Sequence, residues 1–421
     1  MRDVIALVMA GGKGERLYPL TQDRSKPAVP FGGIYRIIDV TLSNCINSNI
    51  YKIIVLPQYK SQSLVEHIEA GWNIFNYALG HYLKIVPPQM RAGEDWYQGT
   101  ADSVRQNLYL IEREMPEYIL VLSADHIYKM DYAAFIAHHQ EKGADITASV
   151  IEVPVSDAYR FGIVEVTENY RIRAFKEKPV TAESMPGYPD HVLASMGVYC
   201  FNTQVLIELL TTTDKNDFGK DIIPAALEMH ALYAFPYKQM NRIQDFIYTI
   251  GDDGRRERRL DPCVRDSSYW RDVGDLDAYW NANMDLTGVD PIFNLYGKKW
   301  PLRTFQMQSP PAKTVFADKD AGRIGMALNS IVSHGCIISG AVVKSSVLSC
   351  KVIIDSWSEI SESVIMADVE IGSHCRIMKA IVDKANRIPS NTQIGYDIRE
   401  DKRRYMITHR GIVVVPKGTF N

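Results

Sequence analysis

The chain has no surplus of positive charge: 47 Lys and Arg face 50 Asp and Glu, a formal net charge of −3 over 421 residues. A protein whose main partner is nucleic acid normally shows a basic excess, so that class is set aside. Any phosphate must be met by cations and backbone amides placed locally. Paired cysteines are also missing. Cys45, Cys200, Cys263, Cys336, Cys350 and Cys375 are scattered without a CxxC pair, which argues for reduced thiols in a cytoplasmic protein rather than a disulfide framework or a zinc site. No apolar run approaches the ~20 residues of a membrane span. The opening stretch MRDVIALVMAGG lacks a small-residue cleavage site and runs straight into a glycine turn. It reads as a first buried strand, with no room before it for a transit peptide.

What is present is the composition of a soluble globular protein, 46% hydrophobic and 23% charged, long enough for two domains. Apolar runs alternate with helical patterns through the first two-thirds, as βαβ units require. Val4–Met9, Lys52–Pro57, Tyr118–Ser123, Ile146–Val153, Gly162–Val166 and Ala194–Phe201 read as strands, and Ser61–Ala70 and Thr100–Arg113 as helices. The expected fold is an α/β, Rossmann-like domain with a mostly parallel sheet over residues 1–290, with ligands at the carboxyl ends of its strands. Residues 291–325, with Pro291, Pro301, Pro310 and Pro311, read as a connecting segment that wraps. From 326 to 421 aliphatics recur every five or six residues, through Val342, Val347 and Val352 and on to Ile388 and Ile394. That spacing predicts a left-handed parallel β-helix, with an ordinary β-sandwich as the alternative.

Residues 10–27, AGGKGERLYPLTQDRSKP, follow the first strand. Gly11, Gly12 and Gly14 let backbone amides approach phosphate oxygens, and Arg16 and Lys26 supply charge for a polyphosphate. The spacing is neither the Walker loop nor the GxGxxG dinucleotide fingerprint. Glycines alone would fit an ordinary strand–helix turn; the two cations turn the reading toward phosphate.

This stretch resembles the GGxGxRLxPLT…KP signature of the sugar-phosphate nucleotidyltransferases. RIIDVTLSNCINS (36–48), WYQGTADSVRQN (96–107), SADHIYKMDY (123–132), FKEKP (175–179), LASMG (193–197), DFGKDIIP (217–224), YWRDVG (269–274) and PPAK (310–313) resemble the bacterial glucose-1-phosphate adenylyltransferases, in order along nearly the whole chain. The resemblance implies that ATP and glucose 1-phosphate yield ADP-glucose and diphosphate, with Mg²⁺, as the first committed step of glycogen biosynthesis. A sugar phosphate is already largely dianionic at neutral pH, its second pKa being about 6, so no general base is required. That agrees with the absence of a Ser/His/Asp or Cys/His nucleophile set, and leaves positioning and charge neutralisation to do the catalysis.

By the same resemblance Arg16, Lys26 and Asp125 are catalytic, and Asp125 and Asp272 hold the metal; an isolated Asp is otherwise a capping or turn residue. Lys178 holds the sugar phosphate with Glu177 on the glucose hydroxyls, although a bare Glu-Lys pair is usually only solvated. Tyr97, Gly162 and Ser195 complete the sugar-phosphate contacts. Gln89 reads the adenine edge, with Gly99 and Thr100 lining its pocket. Family members are commonly tetramers regulated by allosteric metabolites, and Arg24, Arg36 and Arg113 match arginines implicated in effector binding between the two domains. Asp23 and Pro30 stand where enteric members have lysine and histidine, so fructose 1,6-bisphosphate is expected to activate poorly. Three rival readings are a nucleotidyltransferase with another NTP or sugar phosphate, a regulatory subunit without activity, and an acyltransferase in the β-helix. Lys26, Asp125, Lys178 and Asp272 are all present, against the second; against the third, His334 and His374 are isolated.

Overall fold

A computed structural model of the chain describes residues 3–89, 96–185, 188–251 and 253–420. Its first strand, β1 (Val4–Ala10), is buried on both faces, as expected of an unbroken aliphatic run at the centre of a parallel sheet. Eight more strands join it: β2 (Lys52–Pro57), β3 (Tyr82–Ile85), β4 (Tyr118–Ser123), β5 (Ile146–Pro154), β6 (Gly162–Val166), β7 (Ile172–Glu177), β8 (His191–Asn202) and β9 (Leu232–Pro236). The spatial order is β7-β6-β8-β4-β1-β2-β3, with β5 also paired to β8 and β9 to β5. Only β7 and β8 run against the rest, so seven of the nine strands share one direction. The side chains alternate between two cores, Val4, Ala6 and Val8 on one face and Ile5 and Leu7 on the other.

Register decides which residues leave the sheet together. Met9 of β1 lies beside Ser123 of β4, so the glycine-rich loop and Asp125 emerge side by side. The helix expected over Thr100–Arg113 is two shorter ones, Thr100–Arg105 and Leu108–Glu112. Between them the Asn107 side chain donates to the Ser103 carbonyl and to the Tyr97 hydroxyl, taking up groups a continuous helix would leave to its ladder.

The C-terminal region is a parallel β-helix with three sheets, not a sandwich. Ile354 pairs with Ile371 and Ile371 with Ile388, an advance of 17 residues per turn. Each turn has three corners, and the corner residues Lys351, Trp357, Glu362, Asp368, His374 and Lys379 all take positive φ. Regular strands begin at Lys313–Val315, which pairs with Ile337–Ser339. Before that, residues 301–304 cross the buried helix Ile37–Asn47: the Arg303 amide donates to Ser43 Oγ, and the Thr304 hydroxyl to Asp39. The β-helix packs on the first domain, with Val364, Met366, Ile381, Ile412 and Val414 in the same apolar core as β1.

Candidate active site

Lys26 sits in a short 3-10 turn after the glycine-rich loop and is almost wholly buried. Its ammonium lies 2.7 Å from an Asp125 oxygen and 3.7 Å from an Asp272 oxygen. Two carboxylates from distant parts of the sequence thus meet one cation. A short antiparallel ribbon brings them together: His126–Tyr128 pairs with Trp270–Asp272, placing Asp272 opposite His126. His126 Nε2 lies 3.5 Å from Asp125 and 3.8 Å from Asp272, and Ser123 Oγ donates to Asp125. Burial pushes the Asp125 carboxyl up, but the neighbouring Lys26 ammonium, with His126 and Ser123, outweighs this and holds it well below the usual carboxylate range.

Among the glycines of the loop, Gly14 has φ of 65°, and a Cβ there would press at 3.0 Å on both Lys26 and Thr21. Its left-handed backbone and that close approach are what seat Lys26. A Cβ on Gly12 would meet nothing within 4 Å, so the loop is open on that side; Gly11 packs beside Gln58. Arg16 is exposed at the mouth of the adjoining cleft and makes no hydrogen bond or ion pair among the described residues.

That cleft, of about 300 Å³, is lined among others by Arg16, Gly162, Glu177, Lys178, Ser195 and Asp272. Lys178 directly follows β7 with φ of 46°, a strained backbone for a lysine, and its ammonium lies 3.1 Å from Glu177. Gly162 has no room for a side chain: a Cβ would stand 2.7 Å from the Phe175 ring and 2.9 Å from a Glu177 oxygen. β8 is bulged between Ser195 and Tyr199, with Gly197 at φ of 65°, and the bulge turns Ser195 Oγ toward Tyr199 at 3.1 Å.

Several expected residues lie elsewhere. Tyr97 belongs to the core, its hydroxyl donating to the Val86 carbonyl and accepting from Asn107, and it does not line the cleft. Gln89 is exposed on the loop after β3, outside the cleft. Gly99 is extended, and a Cβ would stand 2.2 Å from the Asn216 carbonyl oxygen, so close packing demands glycine there. Thr100 does line the cleft, and its hydroxyl accepts from the Phe218 amide. Arg24 is buried where the domains meet, both Asp383 oxygens lying 2.7 Å from one guanidinium nitrogen. Arg36 donates to Ser63, and burial lowers its pKa. Arg113 is exposed at the end of Leu108–Glu112 and touches neither. Asp23 forms a 3.5 Å ion pair with Lys417. Sequence reasoning missed His126, Arg160, Asp217 and Trp270 in the cleft. His126, Asp217 and Trp270 sit inside family motifs, two of which were read only for Asp125 and Asp272.

Among the described residues no group of three or more His, Cys, Asp or Glu side chains is arranged around a metal position. Two hard carboxylates that already converge on a cation nevertheless suit Mg²⁺, which usually takes one or two carboxylates and completes its shell with phosphate oxygens and water.

The nucleotidyl transferase family model matches residues 5–288, and the GlmU-like C-terminal hexapeptide model matches 310–415. The glucose-1-phosphate adenylyltransferase of Methylococcus capsulatus is 47% identical over 419 residues, covering 98% of this chain and 93% of its own length. That of Koribacter versatilis is 46% identical over 424 residues, covering 99% and 96%. That of an Anaeromyxobacter species is also 46% identical over 424 residues, covering 99% of both chains. The chain belongs to the glucose-1-phosphate adenylyltransferase family. Membership in this family extends through both domains, so the β-helix is as much part of the likeness as the cleft.

Proposed function

We propose that this chain transfers the adenylyl group of ATP to glucose 1-phosphate, forming ADP-glucose and diphosphate. The observation that carries the reading is the convergence of Lys26, Asp125 and Asp272 beside a cleft bearing Glu177, Lys178 and Ser195. An oxygen of the sugar phosphate attacks the α-phosphorus as the bond to the β-phosphate breaks. Lys26, Arg16 and the amides of the glycine-rich loop are placed to offset the charge that builds on the phosphates. Asp125 and Asp272 would hold Mg²⁺, which supplies further charge neutralisation when bound. Lys178 meets the sugar phosphate and Glu177 the glucose hydroxyls. The test is release of diphosphate from glucose 1-phosphate with ATP, UTP, dTTP or GTP. A clear preference for ATP is expected; equal or better turnover with another nucleotide would overturn the adenylyl assignment.

Gly162→Ala is expected to raise the KM for glucose 1-phosphate with little change in the KM for ATP. The added methyl group must displace Glu177 or Phe175. Overpacking of ~1–3 kcal/mol translates into roughly 5- to 150-fold in affinity. Steady-state kinetics with each substrate varied in turn would check it, and an unchanged KM for the sugar phosphate would contradict the placement.

The product is an activated glucosyl donor, which suits a first step of glycogen biosynthesis in the cytoplasm. We assign residues 1–290 to catalysis, the segment from 291 to the first β-helix strand at Lys313 to the connection, and the β-helix, which therefore starts before the expected 326, to oligomerisation and regulation in a homotetramer. Allosteric control through Arg24 and Arg36 is supported by their place near the domain boundary, where Arg24 and Arg36 both lower the pKa of the half-buried Lys384 after burial itself. Arg113 would have to act at a separate surface.

A further inference from the structure

The ribbon that opposes Asp125 and Asp272 is only three residue pairs long: Tyr128 with Trp270, Ile127 with Arg271 and His126 with Asp272. So short a two-stranded pairing does not hold its own register, and a slip of one residue would turn Asp272 to the opposite face. Something outside the ribbon must fix it.

At the end away from the carboxylates, the two strands run into a buried polar cluster. Lys129 follows Tyr128 directly and is 1% exposed. Its ammonium contacts Asp266, which is 5% exposed and lies four residues before Trp270, and donates to the Asn294 carbonyl at 2.7 Å. The Asn241 amide donates at 2.8 Å to the carbonyls of both Lys129 and Ser267. The Tyr237 hydroxyl lies 2.9 and 2.8 Å from the carbonyls of Lys129 and Tyr269. Together these contacts tie the strand that follows Asp125 to the strand carrying Asp272. Lys129 and Asp266 do not line the cleft, and no step of the proposed reaction uses them.

A fully buried ion pair is a poor way to gain stability, because desolvation of both charges offsets most of their attraction, and apolar residues of similar volume usually serve as well. What such a pair does offer is a single permitted arrangement. We propose that Lys129 and Asp266 are positioning residues that lock the register of the ribbon and so set Asp125 against Asp272. The catalytic consequence rests on the adenylyl-transfer reading; the lock itself does not.

The experiment compares wild type with Lys129→Met/Asp266→Leu, which removes both charges and approximately keeps the volume, and adds the same pair of changes to Asp272→Asn. Hydrogen exchange reads the lock without substrate. Protection is expected to fall at 126–128 and 270–272 while β1 and β4 stay protected; an unchanged ribbon overturns the proposal even if the chain proves inactive. In the adenylyl-transfer assay kcat is expected to fall at least 30-fold, with the KM for glucose 1-phosphate within threefold of wild type. In the Asp272→Asn background the same changes should cost less than threefold more, because the ribbon then has no carboxylate to place. Full additivity there, or wild-type kcat in the double variant, would reduce Lys129 and Asp266 to ordinary core residues. If the double variant does not fold, Lys129→Met with Asp266→Asn, which keeps Asp266's hydrogen-bonding shape, is read by the same criteria.

Discussion

Asp125→Asn lowers kcat for ADP-glucose formation by about 10³-fold or more while leaving the protein folded. The carboxylate stands at the end of β4, 2.7 Å from the Lys26 ammonium and facing His126, and its pKa is held low by that company. It is therefore fully charged at neutral pH. Asparagine keeps the shape and can still meet Ser123, so the fold has little reason to change. What disappears is one of the two negative charges that would hold a divalent cation against the phosphates. Lys26 would then be left with Asp272 alone, at 3.7 Å, and its own position would drift. Diphosphate release measured beside a thermal melt checks the prediction: kcat within tenfold of wild type would remove Asp125 from the reaction.

Asp383→Ala destabilises the chain by about 3–5 kcal/mol, seen as a fall of several degrees in the first melting transition. Asp383 is 2% exposed, and its partner Arg24, across the domain boundary, is 5% exposed. Removing the carboxylate leaves a guanidinium buried near Lys384 with nothing to offset it. The loss reaches catalysis as well. Arg24 lies two residues before Lys26, so whatever loosens Arg24 loosens the turn that seats the Lys26 ammonium. Arg24→Met/Asp383→Leu should recover most of the melting temperature, since it removes both charges together. A single variant that melts within a degree of wild type would mean that the pair is solvated and that the domains are held by apolar packing alone.

How far the sequence announces a feature depends on how local its cause is. β1, β2 and β4 are central strands buried on both faces, and an unbroken aliphatic run is enough to reveal them. The β-helix is legible for a similar reason: each corner consumes five or six residues, and the spacing of Val347, Val352 and their successors repeats it. The glycine-rich loop and the two aspartates stand out through motifs. Pairing over distance cannot be read in the same way. Nothing near Lys26 says that residues 125 and 272 will close on it, and nothing near Lys129 points to Asp266, 137 positions later. Tyr97 and Gly99 show a different limit. Both belong to a motif of the family, yet here the tyrosine hydroxyl is tied to Val86 and Asn107, and the glycine is required by Asn216. A motif fixes residue identity without saying whether packing or ligand contact is the reason. The break at Asn107 is a further case, because a side chain competing for backbone groups is invisible to periodicity.

The proposed mechanism requires that one nucleotide be gripped jointly by the glycine-rich loop, Lys26 and the two opposed aspartates. A crystal structure with Mg²⁺ and a non-hydrolysable ATP analogue tests this most directly. The α-phosphate should lie within hydrogen-bond reach of Lys26, with the metal between Asp125, Asp272 and phosphate oxygens. A nucleotide bound away from this ribbon, with Lys26 still paired to Asp125, would contradict it.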